Sequence, residues 1–275
     1  MKTNFILLLL FFIAIASKGE ERNYTGSTPA GIVVRSFLGI ALRDSVDFIR
    51  WQLTLQNSHY TLSCNYGIGK PNTSGFINGG EKIICSGALD KQEHIYKLHN
   101  ADKTLSIVEL NTDLVHLLDA DNKMLTGNGG WSYTLSNTNP SGTDAVNVIA
   151  GQTIFKDSIA FQGRTPCGVP GIISAGMQCY KLKWYIVLYR PATGSTGTYK
   201  VLGTAYRSQG EKTGNWKTVM GKNGRIVYQL HDNKENAFLY LLKLDENILV
   251  FTDSQGKLLV GDEDFSYTLN RLVHQ

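Results

Sequence analysis

The chain has 275 residues, 42% of them hydrophobic and 18% charged, with a net charge of +4 at pH 7. A balance this mild, without a Lys/Arg run, argues against nucleic acid and anionic membrane surfaces as partners. The length suits two domains of ordinary size, each large enough for its own core.

The first residues read as a secretory signal, residues 1–17. Lys2 supplies the positive end, Phe5 to Ala16 is an unbroken apolar run, and Ala14-Ile15-Ala16 gives the small-x-small pattern of a cleavage site. The run is shorter than the roughly 20 residues of a spanning helix, and no cysteine stands near the cut to carry a lipid. The expectation is an exported protein, periplasmic or extracellular, not lipid-anchored. Losing Lys2 takes the charge from +4 to +3. Two sequons, Asn23-Tyr24-Thr25 and Asn72-Thr73-Ser74, would matter only in a eukaryotic secretory pathway.

Beyond the leader the chain says everything twice. Thr28-Pro29-Ala30 returns as Thr165-Pro166-Cys167, and the segments after them, Gly31 to Leu42 and Gly168 to Gln178, suit a short helix or loop plugging one end of a domain. Arg50-Trp51-Gln52-Leu53-Thr54-Leu55 and Lys183-Trp184-Tyr185-Ile186-Val187-Leu188 both alternate, with the tryptophan leading the apolar face of a half-buried strand. Tyr60 to Tyr66 pairs with Tyr199 to Tyr206 as the next strand, and Ser74-Gly75-Phe76 is a weak counterpart of Thr213 to Lys217. Ile95 to Asn100 matches Val227 to Asp232. Leu105, Ile107, Leu110, Leu114, Leu118 and Asp119 match Leu239, Leu241, Leu244, Ile248, Thr252 and Asp253. Asp253-Ser254-Gln255-Gly256 has the chemistry of a tight hairpin turn. Met124 to Leu135 and Leu258 to Leu269 then share Leu-x-Gly, an aromatic, and Ser-Tyr-Thr-Leu, which reads as a closing strand.

About eight short strands per copy, with turn residues between them and no long helical period, predict an all-β fold of two tandem antiparallel barrels. They occupy residues 18–136 and 157–275, with 137–156 as linker. Eight strands enclose just enough room for packed side chains or one small ligand. These motifs resemble exported tandem-repeat proteins of Bacteroidetes. More distantly, through the Gly-x-Trp element, the Leu-x-Asp-x-x-Gly-Lys turn and the closing Tyr-x-Leu strand, each repeat is similar to the N-terminal domain of the envelope-stress lipoprotein NlpE. That resemblance implies a lipocalin-like barrel and a metal-homeostasis or stress-sensing role. The chain lacks the lipobox cysteine and the Cys-x-x-Cys of that family, so copper handling passes to no particular residue here.

Four cysteines in an exported chain suggest disulfides. Cys167 and Cys179 correspond to Ala30 and Val46 in the first repeat, so they are gained or lost together, as a bridged pair would be. A thiolate metal site would need three or four soft ligands, and no histidine lies within ten residues of either. Cys64 and Cys85 remain as a second pair, bridged across neighbouring strands or packed as buried thiols. His99 and His231 recur at matching places, as do Asp119 and Asp253, and all four read as turn or strand-end residues before acid-base groups. Gly127-Asn128-Gly129-Gly130 runs into a strand, unlike a phosphate loop. No nucleophile, metalloprotease, phosphate-loop or dinucleotide motif occurs.

The expectation is a non-enzyme without cofactor: an envelope-associated binding module, holding a small apolar ligand against Trp51, Trp184, Tyr60, Tyr199, Leu105 and Leu239, or contacting an envelope protein. The alternatives are a structural or protein-interaction module with filled barrels, and the metal role that the NlpE resemblance implies.

Overall fold

A computed structural model describes residues 21–142, 146–148, 150–151, 157–173, 178–190, 196–206, 210–221 and 224–272. The leader lies outside the described residues, as does part of the linker.

The first barrel closes from eight antiparallel strands: β1 (Glu21–Pro29), β2 (Phe48–Gln56), β3 (His59–Gly67), β4 (Glu81–Gln92), β5 (Ile95–Asn100), β6 (Lys103–Asn111), β7 (Leu114–Leu117) and β8 (Thr134–Asn137). The second repeats the order: β9 (Ser158–Thr165), β10 (Leu182–Tyr189), β11 (Thr196–Gly203), β12 (Lys212–Met220), β13 (Ile226–His231), β14 (Ala237–Lys243), β15 (Ile248–Thr252) and β16 (Thr268–Arg271). Each strand pairs with its neighbour in sequence, and β8 on β1 and β16 on β9 close the rings. Alternation works as the sequence suggests. Trp51, Leu53 and Leu55 on β2, and Trp184, Ile186 and Leu188 on β10, all point inward and are nearly inaccessible.

Two sequence assignments shift. The counterpart of β12 is β4, not Ser74-Gly75-Phe76, which lies in the β3–β4 connection. Gly87 and Gly214 mark the equivalence, since a Cβ at either would press on a strand-end histidine carbonyl and on Tyr60 or Tyr199. The outward side chains of β4 are mostly exposed, and of its inward positions Ile83, Cys85 and Gly87 are only half-buried while Leu89 alone is buried, so its pattern carries little signal. In Ser-Tyr-Thr-Leu only the second half is paired strand; Ser132, Tyr133, Ser266 and Tyr267 precede it, with a bend at each tyrosine.

In the first repeat the plug is helix α1 (Ile32–Leu38). Gly39 ends it at φ 75°, the left-handed conformation that lets its N–H bond Ser36 and the Ile40 N–H bond Arg35. Val34, Phe37 and Leu38 enter the core, each burial contributing about 1.5–3 kcal/mol. In the second repeat Val169, Ile172 and Ile173 play that part from a turn.

The plugs are anchored differently. Cys167 and Cys179 are disulfide-bonded, with Cα atoms 6.0 Å apart. At the corresponding Ala30 and Val46, the buried Arg35 guanidinium joins the two places instead. It donates to the carbonyls of Ala30 (2.8 Å) and Val46 (3.3 Å), and to those of Ala41, Leu42 and Asp44 between them. A covalent staple in one copy is matched by a five-carbonyl hub in the other.

Candidate functional site

The residues expected to line a ligand chamber do face the barrel interiors, but their polar ends are used by the barrels themselves. The Trp51 indole N–H donates to Thr28 Oγ1 at 2.8 Å, and Trp184 to Thr165 Oγ1 at 2.9 Å. This accounts for the twice-used Thr-Pro: each threonine receives an indole and passes its own proton to the following proline carbonyl. Tyr60 and Tyr199 donate to the His99 and His231 carbonyls, and burial raises both phenol pKa values. Leu105 and Leu239 are 1% exposed.

The charged end of the first barrel is also internal. Glu109 accepts from Arg22 (2.6 Å), Lys91 (2.9 Å) and Tyr96 (3.0 Å). Burial opposes ionisation there, yet the bonds from Lys91 and Arg22 hold Glu109 below the ordinary carboxylate range. Its counterpart in the second barrel is Lys243, whose ammonium donates to the Gly151 carbonyl.

The cysteine expectation is corrected at one pair. Cys64 and Cys85 are free thiols. Their strands do pair, but Cys64 stands opposite Ile83 and Cys85 opposite Leu62, so the two are diagonal neighbours rather than partners. Burial, then proximity to Cys85, raises the Cys64 pKa; burial raises Cys85, with a hydrogen bond involving Tyr60 acting against it. Neither is an activated thiolate.

His99 bonds Asp90 (2.8 Å) and Thr104 (3.1 Å) near the surface, whereas His231 is buried with Nδ1 on the Glu235 carbonyl. Asp119 and Asp253 each cap a turn, accepting two backbone N–H groups through one oxygen. None of the four converges on another, and among the described residues no group of three or more His, Cys, Asp or Glu side chains could hold a metal.

The repeated closing motif gathers elsewhere. Tyr133 and Leu135 enter the first core, and Tyr267 and Leu269 the second. The alternate residues face the other barrel. Ser132 Oγ meets Ser266 Oγ at 2.6 Å, and Thr268 donates to Thr134 at 3.0 Å, each residue meeting its own counterpart 134 positions away. The Gly127 N–H donates to Asn270 and, reciprocally, the Gly261 N–H donates to Ser136, at 2.7 and 3.0 Å. Equivalent residues exchanging equivalent contacts define a pseudo-two-fold seam, the arrangement of an isologous dimer. The glycine of Leu-x-Gly is required there: a Cβ on Gly127 or Gly261 would strike the carbonyl of Trp131 or Phe265 and lie 2.8 or 2.7 Å from the next Cα.

Around this polar centre Val108, Leu110, Leu114 and Leu118 pack on Leu242, Leu244, Ile248 and Val250. His116 breaks the symmetry of this packing, fully buried at the place of Val250. Its Nε2 faces the Leu125 carbonyl at 2.9 Å and so carries the proton, which leaves Nδ1 to accept from Thr134 at 2.8 Å. The relay therefore runs one way, from Thr268 to Thr134 to His116 to Leu125. Burial pushes the His116 pKa down from 6.5 to about 4. Arg50 adds an ion pair to Asp264 across the seam.

Comparison of the chain with protein-family models, characterised proteins and solved structures returns no match.

Among the described residues the notable depressions are open and external. A groove of about 680 Å3 follows the seam between Asn23, Gln52, Asn137 and the loop Val260–Glu263. Much of its polar lining is already engaged: Thr54 bonds Asn23, Thr25 bonds the Trp51 carbonyl and Asn137 bonds the Thr112 carbonyl. A second, of about 560 Å3, lies between α1 and the β5–β6 face around His99, itself bonded as above. A third, of about 530 Å3, lies on the second barrel beside Tyr189. Sequence reading missed His116, Arg35 and the Arg50–Asp264 pair. Only Arg35 left a clue, as the lone charge within α1.

Proposed function

We propose that the protein is an exported, non-enzymatic accessory module whose barrels are filled and which works through its outer surface. The observation that carries this reading is the state of the six presumed lining residues. Trp51, Tyr60, Tyr199, Leu105, Leu239 and Trp184 are all 4% exposed or less. The indole and phenol groups among them are bonded to the barrels' own threonines and carbonyls. A chamber for an apolar ligand would leave apolar surface of its lining accessible; these side chains are packed against their neighbours instead. The internal disulfide suits an oxidising compartment, and no helix of the described residues is long and apolar enough to cross a membrane. The metal role implied by the NlpE resemblance finds no three-donor cluster among those residues.

Titration with the apolar fluorophore N-phenylnaphthylamine tests the reading. The protein is expected to show no saturable one-to-one binding. Leu239→Ala, which opens a dry cavity in the second core, serves as the positive control. Saturable binding to the unaltered protein, competed by a fatty acid, would overturn the filled-barrel reading and restore the interior-ligand one.

A further inference from the structure

Away from the seam, most inward residues match between the repeats and many outward ones do not, and the sharpest disagreement is on one strand. The inward residues of β10 reproduce those of β2, Trp184 for Trp51, Ile186 for Leu53 and Leu188 for Leu55. The outward ones change from Gln52, Thr54 and Gln56 to Tyr185, Val187 and Tyr189. The barrel does not need this change, since the first copy folds the same way without it. Tyr185 and Tyr189 are 37% and 41% exposed. Four residues apart on one face, they stand about 13 Å from each other at the rise of a β-strand. Leu202 lies opposite Tyr185 and Lys200 opposite Val187 on β11, so the tyrosines border a continuous outer sheet face.

Tyr189 also forms one wall of the cleft of about 530 Å3, whose other walls include Thr198, Thr213, Asn215, Asp232 and Asn233. The backbone at Tyr189 is tied to the core. The Trp216 indole N–H holds the Tyr189 carbonyl at 3.0 Å from within the barrel. It can approach because residue 197 is glycine, where a Cβ would come within 2.5 Å of that nitrogen. The charged walls are engaged: two of them are ion-paired, and Asp232 stays an ionised carboxylate held by backbone amides. Lys200 is paired with Glu211, Glu235 is held by Lys217 and Asn215, and Asp232 caps the Lys234 and Asn236 amides through one oxygen. The side chains of Thr198, Thr213 and Asn233 make no hydrogen bond to other described residues. An aromatic face beside unspent hydroxyl and amide groups, with its one lining cation, Lys200, already paired and a carboxylate at the rim, fits a ligand without negative charge that is apolar on its ring face and hydroxylated at its edge.

We propose that this face binds a neutral oligosaccharide, one pyranose ring stacked on Tyr189 with its hydroxyls bonded to Thr198, Thr213 and Asn233, and a further ring of the same chain reaching Tyr185. The proposal rests on the reading that the protein works through its outer surface, and it names the ligand class and the place.

Affinity electrophoresis of the intact protein in native gels containing soluble neutral polysaccharides (amylopectin, xyloglucan, galactomannan, laminarin and hydroxyethylcellulose) tests it, with dextran sulfate as the anionic comparison. Retardation is expected in at least one neutral gel and not in dextran sulfate. Tyr189→Ala should weaken it at least about tenfold, while Tyr189→Phe, which keeps the ring, should stay within about threefold of the parent. Both variants should keep the parent's melting temperature, the side chain being outside the core. No retardation in any neutral gel, retardation only in dextran sulfate, or full binding by the Tyr185→Ala/Tyr189→Ala variant would overturn the proposal. The filled-barrel reading is untouched by those outcomes, since it falls only if an apolar molecule occupies an interior.

Discussion

Replacing His116 by valine, the residue found at the equivalent place as Val250, tests whether the seam depends on its one-way hydrogen-bond relay. The imidazole is fully buried and fits only as the neutral tautomer, because Nδ1 must accept from Thr134. A second proton would set two donors face to face. Burial lowers the pKa from 6.5 to about 4, which corresponds to about 3 kcal/mol at 1.36 kcal/mol per unit. The folded pKa of this base is depressed, so between pH 6.5 and 4 the unfolded chain binds the extra proton. Stability contributed by the neutral histidine is complete above pH 6.5 and is lost progressively as the pH falls toward 4. His116→Val removes that dependence. At pH 7 the variant should be less stable by about 1–2 kcal/mol, since the Leu125 carbonyl and the Thr134 hydroxyl lose their partner. Near pH 4 it should equal or exceed the parent. Urea unfolding followed by tryptophan fluorescence at half-unit steps gives the difference directly. The depressed Glu109, whose stabilisation is also lost in acid as the pH falls through its folded pKa, is present in both proteins and cancels. A stability difference that does not change with pH would refute the relay.

The plug anchors, the cysteines and the seam can be perturbed in the same way. Arg35→Met should cost about 1–3 kcal/mol by leaving five partly buried carbonyls without their common donor. Ala30→Cys/Val46→Cys in that background should recover part of the loss in unreduced protein, read from the urea midpoint. Alkylation of denatured, unreduced protein should label Cys64 and Cys85 and spare Cys167 and Cys179, and Cys167→Ser/Cys179→Ser should cost about 3 kcal/mol on the chain-entropy estimate. Gly261→Ala should lower the melting temperature by several degrees through the clash at Phe265 and Ser266, at a cost of about 1–3 kcal/mol. An unchanged melting curve would mean that the seam is looser than its geometry.

The barrels were legible in the sequence because burial alternates along most strands and because the chain states its pattern twice. The Cys167–Cys179 bridge was legible for the same reason, by comparing Ala30 and Val46 in the other copy. The seam was not. Ser132, Thr134, Ser266 and Thr268 alternate with core residues, and a small polar residue at such a position normally faces water; here it faces its own counterpart. The signal available was their identity in both copies, at positions where outward residues elsewhere had diverged, as Gln52 and Gln56 against Tyr185 and Tyr189. Placing Cys64 against Cys85 failed because pairing of strands says nothing about register, and a two-residue offset separates a bridge from a diagonal contact. The expected lining residues face inward as read, but whether an inward tryptophan meets a ligand or a neighbouring threonine depends on packing from strands far away in sequence.

Native mass spectrometry of the protein purified from its own host, sprayed from non-denaturing buffer, tests the central claim most directly. Filled barrels predict the mass of the polypeptide with one disulfide and no stoichiometric apolar adduct. A one-to-one adduct that survives gentle desolvation and passes into organic solvent on denaturation would contradict it, and would place the function back inside a barrel.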